Sequence, residues 1–123
     1  MSIRPLALKW LSSNHKGVIE DIYTSKYYQP EESWNKKHVW WIEVPINVIE
    51  TKSRNDINLI CQKSLDENVF YYLQVPKKYF LDNLQLLYIR DEKISIYLSA
   101  EKGNLFIEQR GSGKVDFKQF LIS

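Results

Sequence analysis

Few residues of this 123-residue chain stand at spacings that could do chemistry. Gly111-Ser112-Gly113-Lys114 has the ending of a phosphate-binding loop, in which backbone N–H groups and a lysine cradle phosphates. That loop requires Gly at 108 and Ser or Thr at 115, and it must open a helix. Glu108 and Val115 stand there instead, so Arg110 to Lys114 reads as a flexible hairpin turn.

A second arrangement is the metal-dependent nuclease pattern, with an Asp on one strand and Glu-x-Lys after the next. Its carboxylates hold a divalent ion and its lysine activates water or stabilises charge. Glu50-Thr51-Lys52, with Asp21 upstream, fits that pattern, and Asp91-Glu92-Lys93 with Asp82 fits it less well. Three-residue patterns arise by chance in a chain with 26% charged residues, so the Asp21, Glu50 and Lys52 set is an alternative and not the leading reading.

Nucleophilic chemistry has less support. His15 lies in a polar turn and His38 precedes a strand, with no Cys, His or carboxylate at metal-ligand spacing beside either. The single Cys61 falls on the aliphatic parity of its strand and reads as a small buried hydrophobe. No Gly-x-Ser-x-Gly elbow occurs, and no cofactor is expected.

The aromatic residues are the unusual feature. Seventeen of them make 14% of the chain, and Tyr27-Tyr28, Trp40-Trp41, Phe70-Tyr71-Tyr72 and Tyr79-Phe80 are contiguous. Neighbours on a strand point to opposite faces. If the aliphatic parity marks the inside, then Trp41, Phe70, Tyr72, Tyr97 and Phe106 fall on the face that should be wet. Such a face is either covered, by the N-terminal forty residues, by a helix, by barrel closure or by a second subunit, or it is an exposed platform for a partner. Tyr and Trp suit a platform because they bring large area with few rotors and a polar handle. Rings flanked by cations would also suit single-stranded nucleic acid, with Lys36, Lys37, Lys77 and Lys78 as phosphate contacts. Nearby acidic residues match these lysines almost one for one, so a solvated surface accounts for them equally well.

The elements that must position these residues follow from periodicity. His38 to Val48 alternates, with Trp40, Ile42, Val44, Ile46 and Val48 on one parity, and Pro45 bends that strand or places it at an edge. Ile57, Leu59 and Cys61 mark a second strand, and a tight turn at Asp66-Glu67-Asn68 brings Val69, Tyr71, Leu73 and Val75 back antiparallel. After Pro76 the spacing of Phe80, Leu81, Leu84 and Leu87 predicts a short helix. Tyr88 to Arg90, Ile94 to Ser99 and Leu105 to Gln109 read as a meander, and Val115 to Ile122 reads equally as a strand or a helical turn. Leu6, Leu8 and Trp10 alternate with Ala7 and Lys9 in an N-terminal part that is otherwise difficult to assign.

These signals predict one α+β domain over residues 1–123, rich in antiparallel β as a meander or partly open barrel, with one short helix after Pro76. Residues 1–37 form an irregular part packing on the sheet, and 38–123 form a β-rich core. With 17 Lys and Arg against 15 Asp and Glu, the charge of +2 is too small to imply nucleic acid by itself. Charges interrupt Ile3 to Trp10, so no signal peptide is expected. No apolar run approaches the ~18 residues of a membrane span, and the expected location is the cytoplasm. The functional expectation is a non-enzymatic binding module whose aromatic face, centred on Trp41, Tyr72, Tyr97 and Phe106, meets a protein partner or a second copy. Single-stranded nucleic-acid binding and the metal nuclease are the alternatives.

Overall fold

The computed structural model describes residues 3–18, 20–33, 36–51, 56–64 and 68–123. Among these, three helices and six strands build two mostly antiparallel sheets in a single α+β domain. The first sheet has the order β1 (Ile22–Ser25), β3 (Ile57–Gln62), β4 (Phe70–Val75). The second has the order β2 (Val39–Pro45), β6 (Lys93–Ser99), β5 (Ile89–Arg90). β1 runs parallel to β3, whereas β3–β4, β2–β6 and β5–β6 are antiparallel.

The expected β3–β4 pairing is present, while most of the turn that joins them lies outside the described residues. All six residues of β3 are buried because the first sheet is covered on both faces. Ile57, Leu59 and Cys61 meet the inner face of the second sheet, where Trp40, Ile42, Val44, Ile94, Ile96 and Leu98 complete the main core. On the opposite face Ile60, Phe70 and Tyr72 pack under a helix, α1 (Arg4–Asn14), through Ala7 and Leu11. The buried polar residues of β3 are satisfied, as interiors require. Asn58 donates to the Glu20 carbonyl at 3.0 Å and accepts from the Tyr72 hydroxyl at 2.6 Å, and Gln62 accepts the Tyr27 N–H at 2.9 Å.

α1 corrects the expectation of an irregular N-terminal part, as does β1. Pro5 sits in its first turn, where a missing N–H costs nothing, and Ala7 and Leu11 stand four apart on one face. The alternation of Leu6, Leu8 and Trp10 is incidental, since Leu6 is exposed. A second correction concerns β2, which ends at Pro45. Ile46–Glu50 then turns into α2 and buries Ile49, because Pro45 holds the extended conformation of an N-cap and Ile46 donates to the Glu92 carbonyl instead of continuing a ladder. The helix expected after Pro76 is α3 (Lys77–Asp82), followed by a 3-10 turn at Leu84–Leu86.

β5 spans two residues, which leaves the far half of β6 open on that edge. The segment 106–109 fills it, with Gln109 N–H donating to Tyr97 O and Ser99 N–H to Ile107 O. It forms isolated bridges instead of the expected strand because Phe106 has a positive φ of 64°, a value that breaks a regular ladder. The last stretch, open to either reading, has elements of both: a 3-10 turn at Lys118–Phe120, then Leu121 bridged antiparallel to Leu73 with Ile122 N–H donating to Tyr72 O at 2.7 Å.

Candidate functional site

Antiparallel register sets Trp41 directly opposite Tyr97. With Trp40 and Ile42 turned inward, period two directs Trp41 outward, and the same parity turns Ser95, Tyr97 and Ser99 outward on β6. The two rings meet edge to face, 6.1 Å between centroids at 85°. Tyr28, bridged to Val39 at the start of β2, adds a third ring 6.4 Å from Trp41 at 60°. On the other side the Arg110 guanidinium stacks between Tyr97, at 5.0 Å, and Tyr88, at 4.0 Å. Tyr28, Trp41, Tyr97, Arg110 and Tyr88 thus form one unbroken row across the outer face of the second sheet.

Two buried polar residues hold this row in place. The Ser95 hydroxyl, fully buried, accepts from the Trp41 indole N–H at 3.0 Å and from Arg110 Nη1 at 3.3 Å. Glu108, also 0% exposed, accepts the backbone N–H groups of Tyr97 at 2.7 Å, Arg110 at 3.1 Å and Gly111 at 2.5 Å. A carboxylate meeting three N–H donors fixes the 108–111 turn against β6 and so aims Arg110 between its two rings.

Tyr28, Glu32, Ser33, Val39, Trp41 and Tyr97 line a cleft of about 110 Å³ at one end of the row. Its charge comes from Glu32, whose carboxyl is held below the usual carboxylate range chiefly by the Lys26 ammonium that donates to it, with help from the Gln29 N–H. The same hydrogen bond raises the pKa of Lys26, whose Nζ lies 4.8 Å over the Tyr28 ring. Burial, and then the nearby Glu32 and Tyr97, push the Tyr28 hydroxyl up against the opposing pull of Lys26, so its ring is a neutral phenol near pH 7. A larger cleft of about 230 Å³ along α1 is lined by Leu6, Lys9, Trp10, Ser13, Asn14 and Asn68, with one ring among the described residues and its polar side chains on exposed positions.

The other residues expected on an aromatic platform go elsewhere. Tyr72, 2% exposed, and Phe70 lie beneath α1, so the N-terminal segment supplies their cover. Phe106, 0% exposed, stacks on Trp40 at 5.0 Å inside the main core, because its positive φ reverses the alternation that would have turned it outward. The four lysines do not converge. Lys36 and Lys37 are exposed before the first residue of β2, whereas Lys77 and Lys78 lie on α3, which packs against α2 beyond the last. Lys77 is moreover buried and donates to Thr51 Oγ1 at 2.6 Å, and Lys78 pairs with Asp82 at 2.8 Å.

Asp21 is half-buried before β1, where its carbonyl accepts the Asn58 N–H at 2.8 Å, and Glu50 is exposed at the end of α2. Lys52 lies outside the described residues. Among the described residues no three His, Cys, Asp or Glu side chains gather to hold a metal ion. Cys61 is fully buried and burial pushes its thiol up, away from the thiolate that nucleophilic chemistry needs. The phosphate-loop resemblance dissolves for a packing reason: Gly111 and Gly113 both pass against Leu86, and the loop opens no α-helix at Lys114.

Sequence reasoning found Trp41 and Tyr97 through parity but missed Tyr28, Glu32, Tyr88, Ser95, Glu108 and Arg110. The adjacent Tyr27-Tyr28 pair was a usable signal, whereas Glu32 arrives through the turn that follows Tyr28, Ser95 through the β2–β6 register, and Tyr88, Glu108 and Arg110 through the segments 88–90 and 106–110 beside β6. No helix among the described residues is long and apolar enough to cross a membrane. No protein-family model matches the chain, and neither a curated protein nor a solved structure matches it.

Proposed function

We propose that this chain is a non-enzymatic binding module that meets a protein partner, a second copy of itself included, through the outer face of its second sheet. The observation that carries this reading is the row Tyr28, Trp41, Tyr97, Arg110, Tyr88. Trp, Tyr and Arg are the residue types that concentrate binding energy at protein interfaces, and here they are preorganised by Ser95 and Glu108, so little side-chain entropy remains to be lost on binding. Tyr88 and Ile89 extend the row with exposed apolar surface. Single-stranded nucleic acid fits this face less well, since Glu32 lines its cleft and the lysines stand at opposite ends of β2. A cytoplasmic location goes with this reading, because a lone thiol such as Cys61 is the usage of a reducing compartment.

A photo-reactive phenylalanine analogue placed at Tyr88 or Glu43, with Lys9 on the exposed side of α1 as control, tests the face. The expected result is a discrete adduct in cells from positions 88 and 43 and none from position 9, with light scattering of the purified chain deciding whether the partner is a second copy. Adducts absent from both, or equally strong from position 9, would overturn the proposal.

A further inference from the structure

The cleft at the Tyr28 end of the row has the chemistry of a cation cage. Among the described residues three rings line it, with Tyr28 and Tyr97 inclined to Trp41 at 60° and 85°, so that the lining offers both ring faces and ring edges. The negative faces of such rings attract a cation, more strongly as water is excluded. Glu32 brings a carboxylate to the lining, already paired with the Lys26 ammonium. The chain already demonstrates the pairing, for Lys26 places its own ammonium over the Tyr28 ring and against Glu32.

The kind of cation follows from the acceptors on offer. Glu32 Oε2 accepts from Lys26 and Oε1 from Gln29 N–H, so little acceptor capacity remains for the three N–H donors of a plain ammonium. An alkylated ammonium has fewer donors or none, spreads its charge over methyl groups, and loses less hydration on meeting apolar ring walls. Val39 completes the lining with another apolar surface. Position also bears on the source, because the cleft opens on the proposed protein-binding face and continues into the row that would carry the rest of a polypeptide.

We infer that the cleft formed by Tyr28, Trp41, Tyr97 and Glu32 receives the methylated lysine side chain of a protein partner. This rests on the proposed function, and it names the group recognised on that face.

Calorimetric titration of the whole chain tests it with four probes: a short peptide bearing trimethyllysine, the same peptide with unmodified lysine, the same peptide with the uncharged tert-butyl isostere, and tetramethylammonium chloride. The trimethyllysine peptide is expected to bind roughly tenfold more tightly than either peptide control. Tetramethylammonium is expected to bind more weakly still, and the Trp41 indole N–H resonance is expected to shift on binding. Tyr28→Leu and Glu32→Gln, checked for folding by circular dichroism, should each weaken the trimethyllysine peptide, while Lys78→Ala should leave it unchanged. Equal binding of the tert-butyl peptide would make the cleft a hydrophobic slot, equal binding of plain lysine would make it an ion-pair site, and equal binding of tetramethylammonium would make its ligand a free small cation. Each of these, or no binding at all, overturns the inference. The crosslinks from positions 88 and 43 do not depend on the cleft, so their persistence in that event would leave the binding face standing, and their absence would remove both.

Discussion

Trp41 and Tyr97 face each other across β2 and β6, and the indole N–H of Trp41 is fastened to Ser95, two residues before Tyr97 on the same strand. This ties ring geometry to strand register: a one-residue slip would bury Trp41 and expose Trp40. The pair is half-buried, which separates its energetic role from that of Phe106.

Trp41→Ala is expected to remain folded at a cost of about 2 kcal/mol, below the roughly 3–5 kcal/mol of a fully buried ring, and to abolish crosslinking from position 88. Phe106→Ala falls in the fully buried class, since its ring stacks on Trp40 and meets Tyr71 edge-on at 5.2 Å. Urea denaturation of the two variants checks the ordering. Equal losses would mean that Trp41 is core and that the face is not a free surface.

Glu108 makes a different prediction, because its partners are backbone donors that have no alternative. Tyr97 N–H would ordinarily pair with a carbonyl of a neighbouring strand, and here a side chain takes that place. Glu108→Ala should cost roughly 3 kcal/mol or more, since unsatisfied buried donors are penalised individually. Glu108→Gln should cost less, because one oxygen still accepts. In both variants hydrogen exchange at Tyr97, Arg110 and Gly111 should accelerate before that of β3, and uniform acceleration would show that Glu108 supports the whole fold equally.

How far the fold was legible follows from where local rules hold. β3, β4 and the inward parity of Trp40, Ile42 and Val44 could be read because alternation there coincides with burial. The helix after Pro76 was readable for the same reason, its Phe80 face being the buried one. The signal failed where two periods coexist, as at Leu6, Leu8 and Trp10, and where backbone geometry overrides alternation, as at Phe106. It also could not reveal that β2 pairs with β6, some fifty residues on, instead of with β3. Of the candidate site, Trp41 and Tyr97 were visible from parity alone, whereas Arg110 and Glu108 acquire their roles from that long-range pairing.

Glu32 and Lys26 predict a pH dependence with a defined sign. The folded pKa of Glu32 lies below its unfolded value, so the stability it contributes is present above the unfolded pKa and is lost as pH falls through the folded one. The Lys26 pKa is raised, so its contribution is present below its unfolded value and disappears as pH rises through the folded one. Both groups are well solvated, so the effect on unfolding should be small and diminish with salt. Carbon-detected NMR titration should place Glu32 below an ordinary glutamate, and Lys26→Ala should bring it back up. An unmoved titration in that variant would mean that the Gln29 N–H, not the ammonium, sets it.

Gly111 and Gly113 separate a packing role from a phosphate-binding one. A Cβ on Gly111 would fall well inside contact distance of the Leu86 carbonyl oxygen, and neither backbone can yield easily while Glu108 holds the turn. A Cβ on Gly113 would meet the side chain of the exposed Leu86 at 2.7–2.9 Å, where Cγ and Cδ1 can swing away and only Cβ is fixed to the backbone. Gly111→Ala should therefore cost about 1–3 kcal/mol, the range of overpacking, with Gly113→Ala below it. Leu86→Ala should rescue Gly113→Ala in part but not Gly111→Ala, because it removes Cγ and Cδ1, keeps Cβ and leaves the carbonyl in place. Since Arg110 immediately precedes Gly111, Gly111→Ala should also draw the guanidinium from between Tyr88 and Tyr97, visible as altered chemical shifts of both tyrosine rings. Rescue of Gly111→Ala by Leu86→Ala would show that the main chain is free to move, and that Glu108 does not fix this corner.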